Sequence, residues 1–535
     1  MSKSLLFASA VALFLCFFRL GSVTLFDVDE AVFAQATKEM VTSNNWITPT
    51  YDGENRYDKP ILFYWLMAAS YKMFGINEFG ARFPSAVSAF LLSLAVFLFA
   101  KRLLGEQRVF YATIPLVLSP YFLVYSHAAV TDMTLTLLIT LSLFCFYISV
   151  TDEKGRPPAH SPLRKPDRYI YGFYAFSALA FLTKGLIGIL FPFGIAIIFL
   201  AIAEGLPGIK KVFHPKGLAL FIIISAPWYI AEFSINGKEF FEQFIIKHHF
   251  KRYMDVISGH SGPVYYYFPA LVIGLMPWIF FLPGGIRKIF SRSGEQQAAD
   301  KPSLVSRSPL GLFALVWFSF IFVFFSISTT KLPNYILPSV PALSLLISSG
   351  MTGEEKWLKF ENLSLAVATI LAGIASLISL KYLHELGIFD TGWVVAAALL
   401  LFGMTATGLL AFSTKKRFYG VLSVLMLAFL VLLSVKATPL ASDYLQKTLY
   451  QYSLYAKQRL HDDEKIVTLG INNPSIVFYS GHRVVRAGNI RDLTPLLTQE
   501  KRVLIISTTK EIGMLQGLGF TLLQKDGKYA LLERQ

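Results

Sequence analysis

The chain has 535 residues, 54% of them hydrophobic and only 16% charged, with a mean hydropathy of +0.53. That balance excludes an ordinary soluble domain and marks a polytopic membrane protein. A net charge of +15 would suggest nucleic acid in a soluble chain, but here Lys and Arg sit mostly in short loops between apolar runs, where they set orientation, so nucleic acid is not an expected partner.

Runs of about twenty apolar residues, the length that crosses a bilayer, fall near 5–25, 84–104, 110–125, 132–150, 169–183, 186–203, 217–233, 264–282, 310–327, 335–350, 363–382, 393–412 and 418–437. The expected fold is therefore mainly α, with about thirteen transmembrane helices. Lys3, the apolar run after it and Ala8-Ser9-Ala10 superficially resemble a signal peptide. Apolar character resumes past Arg19 as far as Phe26, however, which favours an uncleaved first span. Cys16 and Cys145 both lie in apolar runs, so they offer neither a disulfide framework nor metal-ligand spacing.

The stretch 26–65 interrupts this oily sequence with Asp27, Asp29 and Glu30 directly after the first span, then with Asp58-Lys59-Pro60 just before the next apolar run. Acids at the mouth of a span are costly unless they face water, a metal or a substrate, so they mark a candidate site. The plainer alternative is a solvated first turn, since Asp and Glu favour helix N-termini.

Basic residues test the parse. With the N-terminus cytoplasmic, the inner loops carry Lys101, Arg102 and Arg108, then Arg164, Lys165 and Arg168, then Lys210, Lys211 and Lys216, and later Arg287, Lys288 and Arg292. Outer exceptions to that rule, Arg56, Lys59, Lys184, Lys247, Lys251, Arg252 and Lys331, become candidates for binding an anion. An odd span count puts the C-terminal region outside.

After residue 437 the composition changes. An amphipathic segment at 442–460 precedes short apolar runs at 465–469, 483–485, 502–507, 521–524 and 529–533, with a helix expected at 489–499, a pattern that reads as a small α/β domain. The expected division is a membrane catalytic domain over 1–437, containing a first outer loop at 26–83, and a periplasmic domain over 438–535. GINNPSIVFYSG at 470–481 lacks the glycine spacing of a phosphate loop and receives no nucleotide site.

Under this topology the unusual polar groups gather on one face: Asp27, Asp29, Glu30, Tyr57, Asp58 and Lys59 from the first outer loop, His127 and Asp132 from the second, Lys184 at a span break, KHHFKRY at 247–253, and KLPNY at 331–335. Cations can neutralise a phosphate leaving group while a carboxylate takes a proton from an attacking hydroxyl or stabilises charge on a sugar ring. Structural alternatives stand beside each: Asp132 as an N-cap, Lys331 to Tyr335 as a simple helix start, Lys184 snorkelling, and His248-His249 as an interfacial pair, because adjacent histidines lack i, i+4 ligand spacing.

The run from Asp29-Glu30 through NNWITPTYDGENRYDKPILFYW, NEFGARFPSA at 77–86, AVTDM at 129–133, ALAFLTKGLIG at 178–188 and KLPNYILP at 331–338 together resemble the bacterial aminoarabinose transferase and protein mannosyltransferase-like glycosyltransferases of the GT-C fold. The resemblance implies transfer of a sugar from a polyprenyl-phosphate carrier to an envelope acceptor, a lipid A-type lipid first, with a protein O-glycosyltransferase of the same fold or a lipid-linked-sugar flippase or transporter as alternatives. Carried over, it makes Asp29, with Glu30 and Asp132, the catalytic carboxylates. Lys59, Arg252 and Lys331 would bind the carrier phosphate or substrate, with Tyr57 and Tyr335 lining the same face. Asp58 with His248 or His249 would hold a divalent metal ion, the one cofactor considered. Val32-Phe33 stand where the aminoarabinose branch carries Arg-Tyr, and Asp58 stands where it carries Glu.

Overall fold

The computed structural model describes residues 3–151, 168–244, 262–290, 308–352, 355–386, 388, 390–410, 415–461, 464–493 and 502–534. Its first ten α-helices in chain order are α1 (Lys3–Phe17), α2 (Asp29–Ser43), α3 (Leu62–Phe74), α4 (Glu78–Leu104), α5 (Val109–Val117), α6 (Pro120–Ser126), α7 (Asp132–Val150), α8 (Arg168–Lys184), α9 (Ile187–Glu204) and α10 (Pro215–Phe240).

Each expected apolar run contains helix, but the first leaves it at Phe17 and not every one is a simple rod. Among the described residues, eight helices are long and apolar enough to cross a membrane, and ten if each of two bent pairs counts as one span. The bends are 58° between α5 and α6 and 107° between Val264–Gly274 and Trp278–Phe290. At the first, Ser119 accepts from the Phe122 N–H at 3.2 Å and Pro120 starts the new helix, a capped restart that proline's missing N–H favours. The remaining runs form the shorter helices α1, α8 and Val340–Met351, so the expected count exceeds the number of full-length spans. The break between α8 and α9 is a tight hairpin. Gly185 adopts φ +66°, and a Cβ on Gly188 would stand 2.2 Å from the Ala180 carbonyl carbon.

The bundle core forms where α7 packs along α8 and α4. Its density comes from rings: Phe99 stacks on Phe144 with centroids 3.7 Å apart, and Trp278 and Trp317 are fully buried. Each indole N–H must find an acceptor in a region without water. Trp278 donates to the Leu118 carbonyl at 2.7 Å and Trp317 to the Pro338 carbonyl at 2.9 Å.

Between α1 and α4 the chain builds a separate layer of α2, a short hairpin of β1 (Thr50–Tyr51) and β2 (Glu54–Asn55), and α3. One helix, α2, precedes the hairpin and the other, α3, follows it, starting at Leu62. Glu39 of α2 holds the hairpin by accepting from Thr50 Oγ1 at 2.7 Å and from the Asp52 and Gly53 N–H groups at 2.7 and 3.2 Å.

The last span does not stop at residue 437. Helix runs from Arg417 to Arg459 over 43 residues, with a π turn at Leu433–Ala437, and delivers the chain into a five-stranded sheet. That sheet comprises β3 (Ile466–Leu469), β4 (Val484–Ala487), β5 (Val503–Thr508), β6 (Thr521–Asp526) and β7 (Tyr529–Arg534), in the order β4-β3-β5-β7-β6. The first three are parallel, and β7 pairs antiparallel with β5 and β6. The helix expected at 489–499 begins instead as a 3₁₀ turn, Ile490–Asp492, because Asn489 and Asp492 close a capping box on themselves; residues 494–501 lie outside the described residues.

This sheet is docked onto the α2 layer by specific bonds. The Tyr479 hydroxyl accepts from the Leu25 N–H at 2.8 Å and donates to Glu78 Oε1 at 3.0 Å. Arg486 reaches the Tyr51 hydroxyl at 2.8 Å and the Asp52 carboxylate at 3.2 Å.

Candidate active site

The three acids after the first span have three different fates. Glu30 is buried, and its carboxylate receives Arg82 twice, Nη2 at 2.8 Å and Nε at 3.0 Å, as well as the Phe26 N–H at 2.9 Å and the Ala129 N–H at 2.7 Å. The rest of the Arg82 guanidinium donates to the carbonyls of Val23, Thr24 and Leu20 at 2.8, 2.9 and 3.3 Å. A carboxylate so completely engaged is a structural anchor rather than a proton acceptor.

Asp27 faces the other way. It accepts from the Ser475 N–H at 2.8 Å, the Ser475 hydroxyl at 2.6 Å and the Asn473 amide at 3.0 Å. The Gln446 amide, oriented to satisfy both partners, donates to the Asp27 carboxylate and accepts from its N–H, each at 3.0 Å. Burial pushes the Asp27 carboxyl up, while these donors pull it back.

Asp29 opens α2 and is exposed. Its charge is felt by Arg56, whose guanidinium lies 2.7 Å from Asp58 and donates to the Tyr64 hydroxyl at 3.1 Å. Burial works against the charge on Arg56, but Tyr64, Asp58 and Asp29 outweigh it and hold the cation. Lys59 is half-buried and donates to the Asp58 carbonyl at 3.1 Å. Arg56 and Asp58 of the first loop are thus ion-paired beside Lys59, and the Asp29 charge acts on Arg56.

Tyr57 is turned away from that group. Its hydroxyl donates to Glu239 at 3.2 Å and accepts from Asn55 at 2.9 Å, and burial pushes its pKa up to about 12, so it remains a donor.

On the neighbouring helices, Asp132 at the start of α7 receives Lys184 from the end of α8 at 2.6 Å, with side-chain exposures of 4% and 10%. The Lys184 ammonium also lies 5.3 Å from the Tyr335 ring. These groups connect to the acidic turn, because the segment that leads to Asp132 supplies the Ala129 N–H to Glu30.

Lys331 departs from its expected role. It is buried, and its ammonium donates to the carbonyls of Phe325, Ser326 and Ser328 at 2.7, 2.7 and 2.5 Å. Those carbonyls close the Pro309–Ile327 helix and the turn after it, so all three ammonium protons satisfy a helix C-terminus. Nothing is left for a carrier phosphate.

His248, His249 and Arg252 lie outside the described residues. Among the described residues no three His, Cys, Asp or Glu side chains converge to hold a metal ion. The one expected ligand within them, Asp58, is already paired with Arg56, a poor neighbour for a second cation. The described residues thus do not fit a metal centre.

Arg82, assigned no role from the sequence, was signalled as the one cation in the N-terminal half of the helix that starts at Glu78. Glu232 in α10 is a second case: it is fully buried and accepts from Thr48 Oγ1 and Asn236 Nδ2, both at 2.9 Å, tying α10 to the first loop.

A family profile described as dolichyl-phosphate-mannose-protein mannosyltransferase matches residues 58–230. An uncharacterised protein of Aquifex aeolicus is 30% identical over 366 residues, 68% of this chain and 67% of its own length. The undecaprenyl phosphate-alpha-4-amino-4-deoxy-L-arabinose arabinosyl transferase of Yersinia pestis is 28% identical over 362 residues, 66% of this chain. The chain belongs to the aminoarabinose transferase and protein mannosyltransferase-like glycosyltransferases. The match spans 60% of the length of the Yersinia aminoarabinose transferase. The GT-C fold of these glycosyltransferases extends over the whole chain: ArnT from Cupriavidus metallidurans bound to undecaprenyl phosphate superimposes with a TM-score of 0.79 at 22% identity, covering 99% of this chain and 97% of that one. The archaeal oligosaccharyltransferase AglB from Archaeoglobus fulgidus, in complex with an inhibitory peptide and a dolichol-phosphate, gives 0.54 at 13% identity over 95% of this chain and 69% of its own.

Proposed function

We propose that the chain moves a sugar from a polyprenyl-phosphate carrier to an envelope acceptor, a lipid A-type lipid in the first instance, on the periplasmic face of the bacterial inner membrane. Residues 1–437 form the catalytic membrane domain in this reading, with a cytoplasmic N-terminus, and residues 438–535 form a periplasmic domain. Its support is family membership together with one observation: of the three acids in the turn, Asp29 alone is exposed, and its charge acts on Arg56, which is ion-paired with Asp58 beside Lys59.

The chemistry is displacement at the anomeric carbon. The bond from that carbon to the carrier phosphate breaks and its electron pair leaves with the phosphate, while a bond to the acceptor oxygen forms. Lys59 stabilises the phosphate that departs. Asp29 accepts the proton of an attacking hydroxyl. When the acceptor is itself a phosphate no base is needed, and Asp29 serves to orient groups. Arg252 is carried in this reading as a second phosphate contact.

The description of the matching family profile favours, as a second reading, a protein acceptor. Mass spectrometry of envelope lipids and envelope proteins, from cells with the intact chain and with Asp29→Ala, decides between them. A sugar adduct on lipid that vanishes with Asp29→Ala supports the first reading. An adduct confined to protein supports the second, and carrier movement across vesicles with no adduct anywhere sinks both.

A further inference from the structure

We propose that Asp27 is a positioning residue, through which the C-terminal α/β domain holds the turn that presents Asp29. The inference rests on the glycosyltransferase reading above. In open α/β sheets the segments just beyond the carboxyl ends of the parallel strands are where ligands are gripped. Here the segment beyond β3, the central parallel strand, supplies Asn473 and Ser475, and what they grip is a carboxylate of the chain's own first loop. Gln446, from the helix that leads out of the last span, completes the grip by pairing with both the side chain and the N–H of Asp27.

Asp29 is thereby held from both sides in sequence. Two residues before it, Asp27 is fastened to the C-terminal domain, and one residue after it, Glu30 is fastened to Arg82 of α4 and to the Ala129 N–H. The same turn is bonded to that domain twice more, by the Leu25 N–H to Tyr479 at 2.8 Å and by Thr24 to Ser442 at 2.9 Å. A domain whose only task was solubility would have no reason to place a part-buried carboxylate contact at this point, since partly burying a charge costs unless its partners are fixed. The geometry makes the domain a second wall of the site, acting on the orientation of Asp29 without touching substrate.

The test uses the full-length chain in lipid nanodiscs, with the polyprenyl-phosphate sugar fraction extracted from membranes as donor and isolated envelope lipid as acceptor. Asp27→Asn, Ser475→Ala and the double variant are compared by kcat, by KM for the donor, and by hydrogen exchange over residues 24–34. Misplacing a reacting group by about 1 Å costs up to a hundredfold in rate. Each single variant is therefore expected to lower kcat roughly tenfold or more, with KM changed less than about twofold, and to quicken exchange across the turn. The double variant is expected to fall no further than the worse single, because both remove one contact. Should Asp27→Asn fail to fold, Ser475→Ala, which removes one hydroxyl, carries the test alone. Wild-type kcat in Ser475→Ala, or losses that multiply in the double variant, overturns the inference. A wild-type chain that transfers no sugar, while Ser475→Ala still quickens exchange over 24–34, sinks the glycosyltransferase reading and leaves the grip on the turn standing.

Discussion

The Glu30 carboxylate and the Arg82 guanidinium meet in a two-pronged contact, 2.8 and 3.0 Å, with side-chain exposures of 7% and 2%. Removing one member of a buried ion pair strands the other charge, at a cost of about 3–5 kcal/mol. Glu30→Gln and Arg82→Met should each lower the thermal midpoint of the solubilised protein sharply. The double variant should recover only part of the loss, because the carbonyls of Val23 and Thr24 remain without their donor. Single variants that melt like the wild type would show that the pair is not an anchor.

Asp29 should behave in the opposite way. It is exposed, so Asp29→Asn is expected to leave the thermal midpoint unchanged. Against a hydroxyl acceptor, loss of a general base lowers transfer by roughly 10²–10⁴-fold; against a phosphate acceptor the loss is far smaller. Initial rates with the two kinds of acceptor lipid separate these cases, and wild-type transfer by Asp29→Ala would remove it from the site.

Lys331→Met tests the corrected role of that lysine. Each hydrogen bond from a charged group contributes about 1.5–3 kcal/mol, so loss of the bonds to Phe325, Ser326 and Ser328 should lower stability. KM for the carrier should stay within about twofold of wild type, since a residue that binds substrate uniformly would show its loss in KM. A raised KM with an unchanged melting point would restore Lys331 to the phosphate site.

The acidic limb of the stability profile reports on Asp27. Burial raises its folded pKa above the ordinary 3.8. The protonated carboxyl is thus the form the fold favours: its contribution is complete below 3.8 and is lost as pH rises through the folded value. The thermal midpoint of wild type minus that of Asp27→Asn should therefore fall as pH climbs across this window, then level off. A difference that grows with pH would mean the donors around Asp27 outweigh its burial.

What could be read from the sequence, and what could not, follows from the range of the interactions. Spans are announced by their own residues, because hydropathy is local, and the strands after 465 are marked by short apolar runs in the same way. The acidic turn was equally visible. The division of labour within it was not, because the partner of Glu30 is 52 residues away and the partner of Asp27 is 448 residues away. Lys331 was ambiguous for a related reason. An out-of-place cation looks the same whether it awaits a phosphate or closes a helix, and the distinction appears only once Lys331 is seen to cap two carbonyls at the end of the Pro309–Ile327 helix and one in the turn after it.

The continuous helix from Arg417 to Arg459, through its π turn at Leu433–Ala437, ties the last apolar span to the C-terminal sheet. At 1.5 Å per residue its 43 residues reach about 65 Å, roughly twice the hydrocarbon thickness of a bilayer. Half of one rod is thus embedded in lipid and half is the stalk of the sheet that grips Asp27. The residue that Gln446 holds in place, Asp27, is therefore joined through one continuous helix to the apolar span that begins at Arg417.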